Sequence, residues 1–360
     1  MTASGAVPTI PLSDGVPIPR LIKGGWQLAG GHGPVDADRA VADMEAFALV
    51  GITAFDCADI YTGVEELIGR FLREWRERHG SGAPSIRVHT KCVPDLDALP
   101  TLKRSDLEAI VDRSLRRLGV ERLDLVQLHW WDYDIPGLVE AAHHLVAMQQ
   151  AGKIHQLGVT NLDTHHLGLL LDAGVPVVTH QVQLSLLDRR PLGAMAPLCA
   201  SRGVRLLAYG GLAGGFLHGR WLGVEAPAEP LENRSLVKYR LIIEECGGWE
   251  WFQGRLAAFG QVARAHGTTI GAVALRWVLD QPSVAAVIVG SRNRSHLPGT
   301  LDALRLSLTP EERRILDGAG AGGAAGPSGD VYALEREKGG RHAVIMKTGL
   351  NAVQEMPASS

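Results

Sequence analysis

Cysteine is scarce in this chain: four residues, Cys57, Cys92, Cys199 and Cys246, in 360. They are far apart and none forms a CxxC pair, which argues against a zinc site or a disulfide framework. Such sparing use fits a reducing compartment. Aromatics make up 5% of the chain. No run is long enough for a membrane-spanning helix. The first residues lack the basic and apolar stretches of a secretory leader, so a cytoplasmic protein is expected. No block of like charge stands out, and the formal net charge is -3. Neither a nucleic-acid nor a membrane partner is expected from that balance. REWRER at 73–78 mixes both signs and reads as a solvated helix face. A GxGxxG turn after the first apolar run is also missing, since GGWQLAGGHG has the wrong spacing. That removes the main signature of a doubly wound dinucleotide-binding sheet.

What is present is an alternation. Short apolar runs occur at 21–26, 53–56, 86–91, 123–129, 154–160, 175–183, 204–210 and 284–290. They are bounded by glycine or polar residues, as strands buried on both faces are. Helical spacing fills most of the gaps, at 37–50, 105–118, 136–151, 163–172, 192–202, 250–266 and 269–279. In SDLEAIVDRSLRRL, Ser105 is the expected N-cap, with Glu108 three residues on and Gly119 as the stop. Eight strand–helix units predict a closed (β/α)8 TIM barrel.

Two regions exceed a plain barrel. A long connection, 211–250, follows the seventh strand; connections of that length are usually functional loops or insertions. After the helix expected at 308–316, GAGAGGAAGPSG (318–329) reads as a flexible linker. DVYALERE and HAVIMKTGL beyond it are expected to pack back on the body, with HAVIM as an edge strand. The expected organisation is therefore a barrel over 1–317 and a linker plus tail over 318–360.

In a barrel of this kind the chemistry sits at the C-terminal strand ends. The second strand runs into Asp56, with Tyr61 in the loop beyond. The third ends at Lys91, the fourth at His129, and the seventh near Tyr209. Each residue taken alone has a plain reading: Asp56 as a helix cap, Tyr61 as a loop aromatic, Lys91 as a solvated ammonium, His129 as a core histidine. Asp59 belongs to the turn. Together the four make a proton-transfer set. A phenol donates a proton to a carbonyl oxygen, and an ammonium beside it favours phenolate and so lowers its pKa. A carboxylate holds the ammonium charged, and a histidine gives a second hydrogen bond to the substrate oxygen.

These residues, in GITAFDCADIYTG followed by Glu65, in HTK and in LDLVQLH, resemble the aldo-keto reductase family of NAD(P)(H)-dependent (β/α)8 oxidoreductases. The likeness covers roughly residues 20–317. It implies Asp56, Tyr61, Lys91 and His129 as the catalytic residues, with Asp56 also near the cofactor. It implies Gly25 and Trp26 against nicotinamide and substrate. Thr160, Asn161 and Gln181 would hold the carboxamide, and Tyr209, with Gly210 beside it, would lie under the nicotinamide ring. Leu212 would touch the diphosphate. Gly290, Ser291, Arg292, Asn293 and His296 would lie near the adenosine 2′-phosphate. Many relatives carry lysine where Gly290 stands, arginine where His296 stands and tyrosine where Leu184 stands; Arg292 remains as a cation. The cofactor implied is NADP(H), with NAD(H) as the alternative. The substrate implied is a small carbonyl or alcohol with an apolar or planar part, in a pocket lined by Trp26, Tyr61, His129, Trp130, Trp131, part of 211–250 and Tyr133. Lys238 and Arg240 in the long connection read as solvated, with an acidic group bound by them as the alternative. The competing function is a catalytically weak NADP(H)-binding regulatory partner on the same barrel.

Overall fold

The computed structural model describes residues 7–12, 15–29, 33–318 and 326–351. Eight parallel strands close into a barrel in sequence order. They are Leu21–Gly24, Ala54–Asp56, Arg87–Cys92, Leu123–Leu128, Ile154–Thr160, Val177–Gln183, Arg205–Tyr209 and Val284–Gly290, called here the first to eighth strands. The eighth pairs with the first, Val287 opposite Leu21 and Gly290 opposite Gly24. Helices cover the outside, as the alternating pattern requires.

Most helices fall within a few residues of their expected bounds. Ala37–Leu49 begins at Asp36, whose side chain accepts from the Arg39 N–H. The helix expected from Ser105 starts a residue earlier, at Arg104. Ser105 is not its cap; Asp106 reaches back to the Lys103 N–H at 2.8 Å. Gly119 does end it, at φ +65, a left-handed position that glycine takes without strain. REWRER lies in the helix Val64–His79, whose Trp75 is buried.

Three elements escape the sequence pattern. A hairpin, Thr9–Pro11 against Pro17–Pro19, precedes the barrel. Its Ile18, with Leu12 beside it, joins Ile22, Ala54, Leu125, Leu207 and Ile288 in one apolar cluster, which plugs the end opposite the strand C-termini. The long connection carries a helix, Arg234–Glu245, and another, Leu297–Arg305, follows the eighth strand. Tyr239 of the first lies so close to Gly210 that a Cβ there would meet its hydroxyl at 1.9 Å.

The tail lies across the mouth of the barrel. The linker core, 319–325, lies outside the described residues. Asp330 accepts from the Thr164 N–H at 2.8 Å, and a short helix, Ala333–Arg336, follows. HAVIM is not an edge strand: Arg341–Ile345 is a run of turns. Its Ile345 carbonyl accepts from Arg234 at 2.9 Å rather than from a strand. The closed barrel leaves no open edge for it to join. Further on, Thr348 and Asn351 bond to Leu96 and Val93, beside the third strand.

Candidate active site

Asp56 ends the second strand and Lys91 lies in the third. Both side chains are about 95% buried, and the Lys91 ammonium donates to Asp56 Oδ2 at 2.8 Å. It also donates to the Cys57 carbonyl at 2.7 Å. Burial pulls the ammonium down, but the charges of Asp56 and Tyr61 outweigh it and hold Lys91 above its usual range. The other Asp56 oxygen accepts from the Gln181 amide at 2.6 Å and from Gln127 at 3.3 Å.

Tyr61 sits in the turn beyond Asp56, half-buried, with its ring 5.1 Å from the Lys91 ammonium. Burial pushes the phenol up, and Lys91 opposes it by charge and hydrogen bonding without cancelling the rise. Tyr61 is therefore a protonated acid at neutral pH. The Trp26 ring lies 5.1 Å away. His129, just past the fourth strand, is buried, and neither ring nitrogen has a hydrogen-bond partner. Burial, then the Arg336 charge, drops it well below the usual histidine range. His129 is thus neutral at pH 7, with one N–H to give. Its ring packs on Trp131 at 4.3 Å. Asp56, Tyr61, Lys91 and His129 thus lie together at the C-terminal end of the barrel.

Around them the other candidates divide. Asn161, at φ +60, accepts the Tyr209 hydroxyl on Oδ1 at 2.9 Å. Thr160 donates to the Gln181 carbonyl at 3.3 Å. Gly25 is pinned to the second strand, its N–H bonding the Asp56 carbonyl at 2.7 Å, where a Cβ would meet that oxygen at 2.9 Å. Gly210 and Leu212 lie in the loop beneath Tyr239. At the eighth strand, a Cβ on Gly290 would meet the Gln27 amide at 2.1 Å. Gln27 occupies the space that a longer side chain at 290 would need, and its Oε1 is buried without a partner. The Ser291 hydroxyl bonds the Asn293 carbonyl, and Asn293 caps the turn to His296, which is exposed. Arg292 reaches across to the Pro34 carbonyl at 3.1 Å.

Several expectations need correction. Trp130 is 1% exposed and its indole bonds the Ile135 carbonyl, so it packs into the core instead of lining a pocket. Tyr133 stacks on His166 at 3.5 Å, under the Arg336 guanidinium, and its hydroxyl accepts from the Asp163 N–H. Lys238 is not solvated: its ammonium lies 3.5 Å from the buried Glu335 and over the rings of Tyr209 and Tyr332. Arg240 pairs with Glu244 on the surface. Asp59 does lie in the turn, as expected, but it is fully buried there; Val93 and Asn351 donate to it, and burial lifts it to about 7.

The tail supplies what the strand ends alone do not reveal. Arg336 donates to the carbonyls of Trp130, Trp131 and Asn161 at 2.6, 3.2 and 2.7 Å. Tyr332, at φ +58, is buried edge-on to His129, with ring centres 5.9 Å apart. Glu335 meets Arg190, which also chelates Asp188. The one advance signal for Gln127 was a buried polar residue inside the apolar LDLVQLH. For Tyr332 and Glu335 there was none, because the barrel groups they meet, His129, Arg190 and Lys238, are more than 90 residues away in the chain.

The aldo/keto reductase family model matches residues 20–321. The flagellar radial spoke protein 5 of Chlamydomonas reinhardtii is 30% identical over 62% of this chain, which spans 49% of that protein. The chloroplastic pyridoxal reductase of Arabidopsis thaliana is 30% identical, over 81% of this chain and 80% of its own. Among solved structures, a glycerol dehydrogenase from Gluconobacter oxydans superposes with a TM-score of 0.73 at 27% identity, covering 88% of this chain and 95% of its own. An aldo/keto reductase from Klebsiella pneumoniae, in complex with NADP and acetate, gives 0.63 at 26% identity, covering 86% and 94%.

Proposed function

This chain belongs to the aldo/keto reductase family and is an NAD(P)H-dependent oxidoreductase of carbonyl and alcohol groups, and we propose that Tyr61 is its general acid, with Lys91, Asp56 and His129 around it. The observation that carries this assignment is the buried Asp56–Lys91 pair beneath Tyr61, beside a histidine with both nitrogens unpartnered. NADP(H), when bound, supplies the hydride. The residues present fit it: the mouth holds orphaned polar atoms on His129 and Gln27. Asn161, Gln181 and Tyr209 lie at adjoining strand ends, and Arg292 and Arg294 supply positive charge beyond the eighth strand.

In reduction, Tyr61 gives its proton to the carbonyl oxygen as that oxygen gains charge. The Lys91 ammonium stabilises the phenolate left behind, and Asp56 keeps Lys91 charged and fixed. His129 donates its N–H to the same oxygen without carrying charge itself. In the reverse direction the Tyr61 phenolate takes the alcohol proton.

The substrate class is a carbonyl compound with an apolar or planar part. Trp26, Trp131 and Tyr332 supply three aromatic walls near Tyr61 and His129. The reductase of pyridoxal, a planar aldehyde, is a relative in keeping with that class. Tyr332→Ala is expected to raise kcat/KM for a bulky aryl aldehyde about tenfold relative to a small aliphatic one. An unchanged ratio removes Tyr332 from the pocket. A reducing, cytoplasmic setting belongs to the same reading, supported by four buried free thiols. So does the division into a barrel over 1–317 and a tail over 318–360, with the tail as roof. The direct test is loss of NADPH absorbance across aldehydes, ketones and sugars, repeated with NADH. Turnover with a carbonyl, faster with NADPH, is expected. Binding of NADPH without turnover of any carbonyl sinks the catalytic assignment.

A further inference from the structure

Two glutamines share the carboxylate of Asp56. Gln181 donates to Asp56 Oδ1 at 2.6 Å, and Gln127 donates to the same oxygen at 3.3 Å. Gln181 also donates to Gln127 Oε1 at 3.2 Å. An ionised carboxylate only accepts, so both amides must turn their nitrogens towards Asp56. Gln127 then has only its oxygen left for Gln181. Both Gln181 N–H groups are consequently engaged inside the barrel wall, one by Asp56 and one by Gln127, which leaves its Oε1 as the atom open to a ligand.

The barrel makes room for this arrangement. Gln127 lies opposite Gly158 in the strand ladder. A Cβ on Gly158 would come within 3.2 Å of Gln127 Cγ and 2.4 Å of Thr179 Oγ1. Glycine at 158 leaves room for the Gln127 side chain to pass the fifth strand and reach Gln181 on the sixth, while Asp56 stands two strands away on the other side. All three polar residues are at most 4% exposed, so water does not compete for these bonds and an unmade one would be costly.

We propose that Gln127 is a positioning residue for the nicotinamide amide: by taking the second N–H of Gln181, it makes Gln181 offer a ligand only a hydrogen-bond acceptor. A ligand amide is then selected for its own N–H. Gln127 also ties the cofactor contact to the Asp56–Lys91 pair through one shared oxygen. This rests on the reading of the site as a nicotinamide site.

The test uses NADP+ and its 3-acetylpyridine analogue, in which a methyl group replaces the amide nitrogen. Dissociation constants come from quenching of tryptophan fluorescence, without turnover. The wild-type protein is expected to bind the analogue about tenfold more weakly, the size of one buried acceptor left without a donor. Gln127→Met removes the acceptor that holds the second Gln181 N–H, so the amide is free to donate to the acetyl oxygen. The ratio between the two ligands is then expected to fall to about twofold. Gln127→Asn, which keeps the amide but withdraws it from Asp56, should narrow the ratio in the same way, and its folding is checked by circular dichroism. A merely structural role lowers both affinities together and leaves the ratio at ten; that result overturns the proposal. So does a wild-type protein that binds both ligands equally. Failure of the wild-type protein to bind either ligand strikes instead at the nicotinamide reading itself.

Discussion

Tyr61→Phe will lower carbonyl reduction by about 10²–10⁴-fold, the range that one positioned acid contributes, and will leave the NADP(H) dissociation constant within about threefold. The substitution removes one hydroxyl and keeps the ring that packs against Trp26. Neither the buried Asp56–Lys91 pair nor the strand ladder depends on that oxygen. The loss should appear in kcat, because the proton is needed only once charge builds on the substrate oxygen. The pH dependence adds a second reading. Burial raises the free Tyr61 phenol while Lys91 draws it down, so the acid is fully protonated across neutral pH and reduction falls only on the alkaline side. His129 is held neutral by its burial and by Arg336, so it contributes no acid limb near pH 6.5. Wild-type turnover by Tyr61→Phe, or a steep histidine limb in the wild-type profile, contradicts the assignment.

The parts of this site that were legible in the sequence share a cause. Asp56, Lys91 and His129 stand at strand ends, and a parallel barrel delivers every strand end to one rim. Once the alternation of apolar runs and helices is read, three residues on successive strands must converge, whatever their separation in the chain. Gln181 was implied by the family resemblance alone, because it stands two residues short of the end of its strand and the strand-end rule does not single it out. Illegible were residues whose place depends on tertiary contact alone. Tyr332 follows a glycine-rich stretch and has no periodic neighbour to announce its burial. Lys238 looks like any surface lysine until Glu335 is placed beside it. Asp59 looks like a turn residue, and it is one locally, but the tail covers it and Asn351 reaches it from the far end of the described chain. The same limit explains HAVIM: its apolar composition signals burial, while a closed barrel offers no free edge for it to extend. The hairpin before the barrel was missed because its strands are three residues long and rich in proline. What makes it part of the fold is Ile18 filling the barrel floor, which local pattern does not reveal.

Arg190→Met will cost about 3–5 kcal/mol in urea unfolding at pH 7, the penalty for removing one partner from a buried charge cluster. Arg190 lies between Asp188 and Glu335, and both carboxylates are fully buried. Four of its five N–H donors are used, two on each carboxylate; methionine fills similar space and offers none. Lys238 stays near Glu335 at 3.5 Å but makes no ion pair with Asp188. The sign with pH follows from Glu335. Burial raises it, but Lys238 and Arg190 outweigh that and hold it at about 2, below its ordinary 4.5. A carboxyl depressed in the fold gives stability that is complete above the unfolded value and is lost as pH falls towards the folded one. In the wild type that contribution fades between about pH 4.5 and 2. Without Arg190 the Glu335 carboxyl takes up a proton more readily, and its protonation relieves uncompensated charge. The gap between variant and wild type should therefore be widest at pH 7 and narrow as pH falls towards 4. Because Glu335 belongs to the tail and Asp188 to the barrel rim, the loss also measures how firmly the roof holds to the mouth. A cost under 1 kcal/mol at pH 7, or one independent of pH, would show that the tail is held by apolar packing of Val331 and Tyr332 instead of by this cluster.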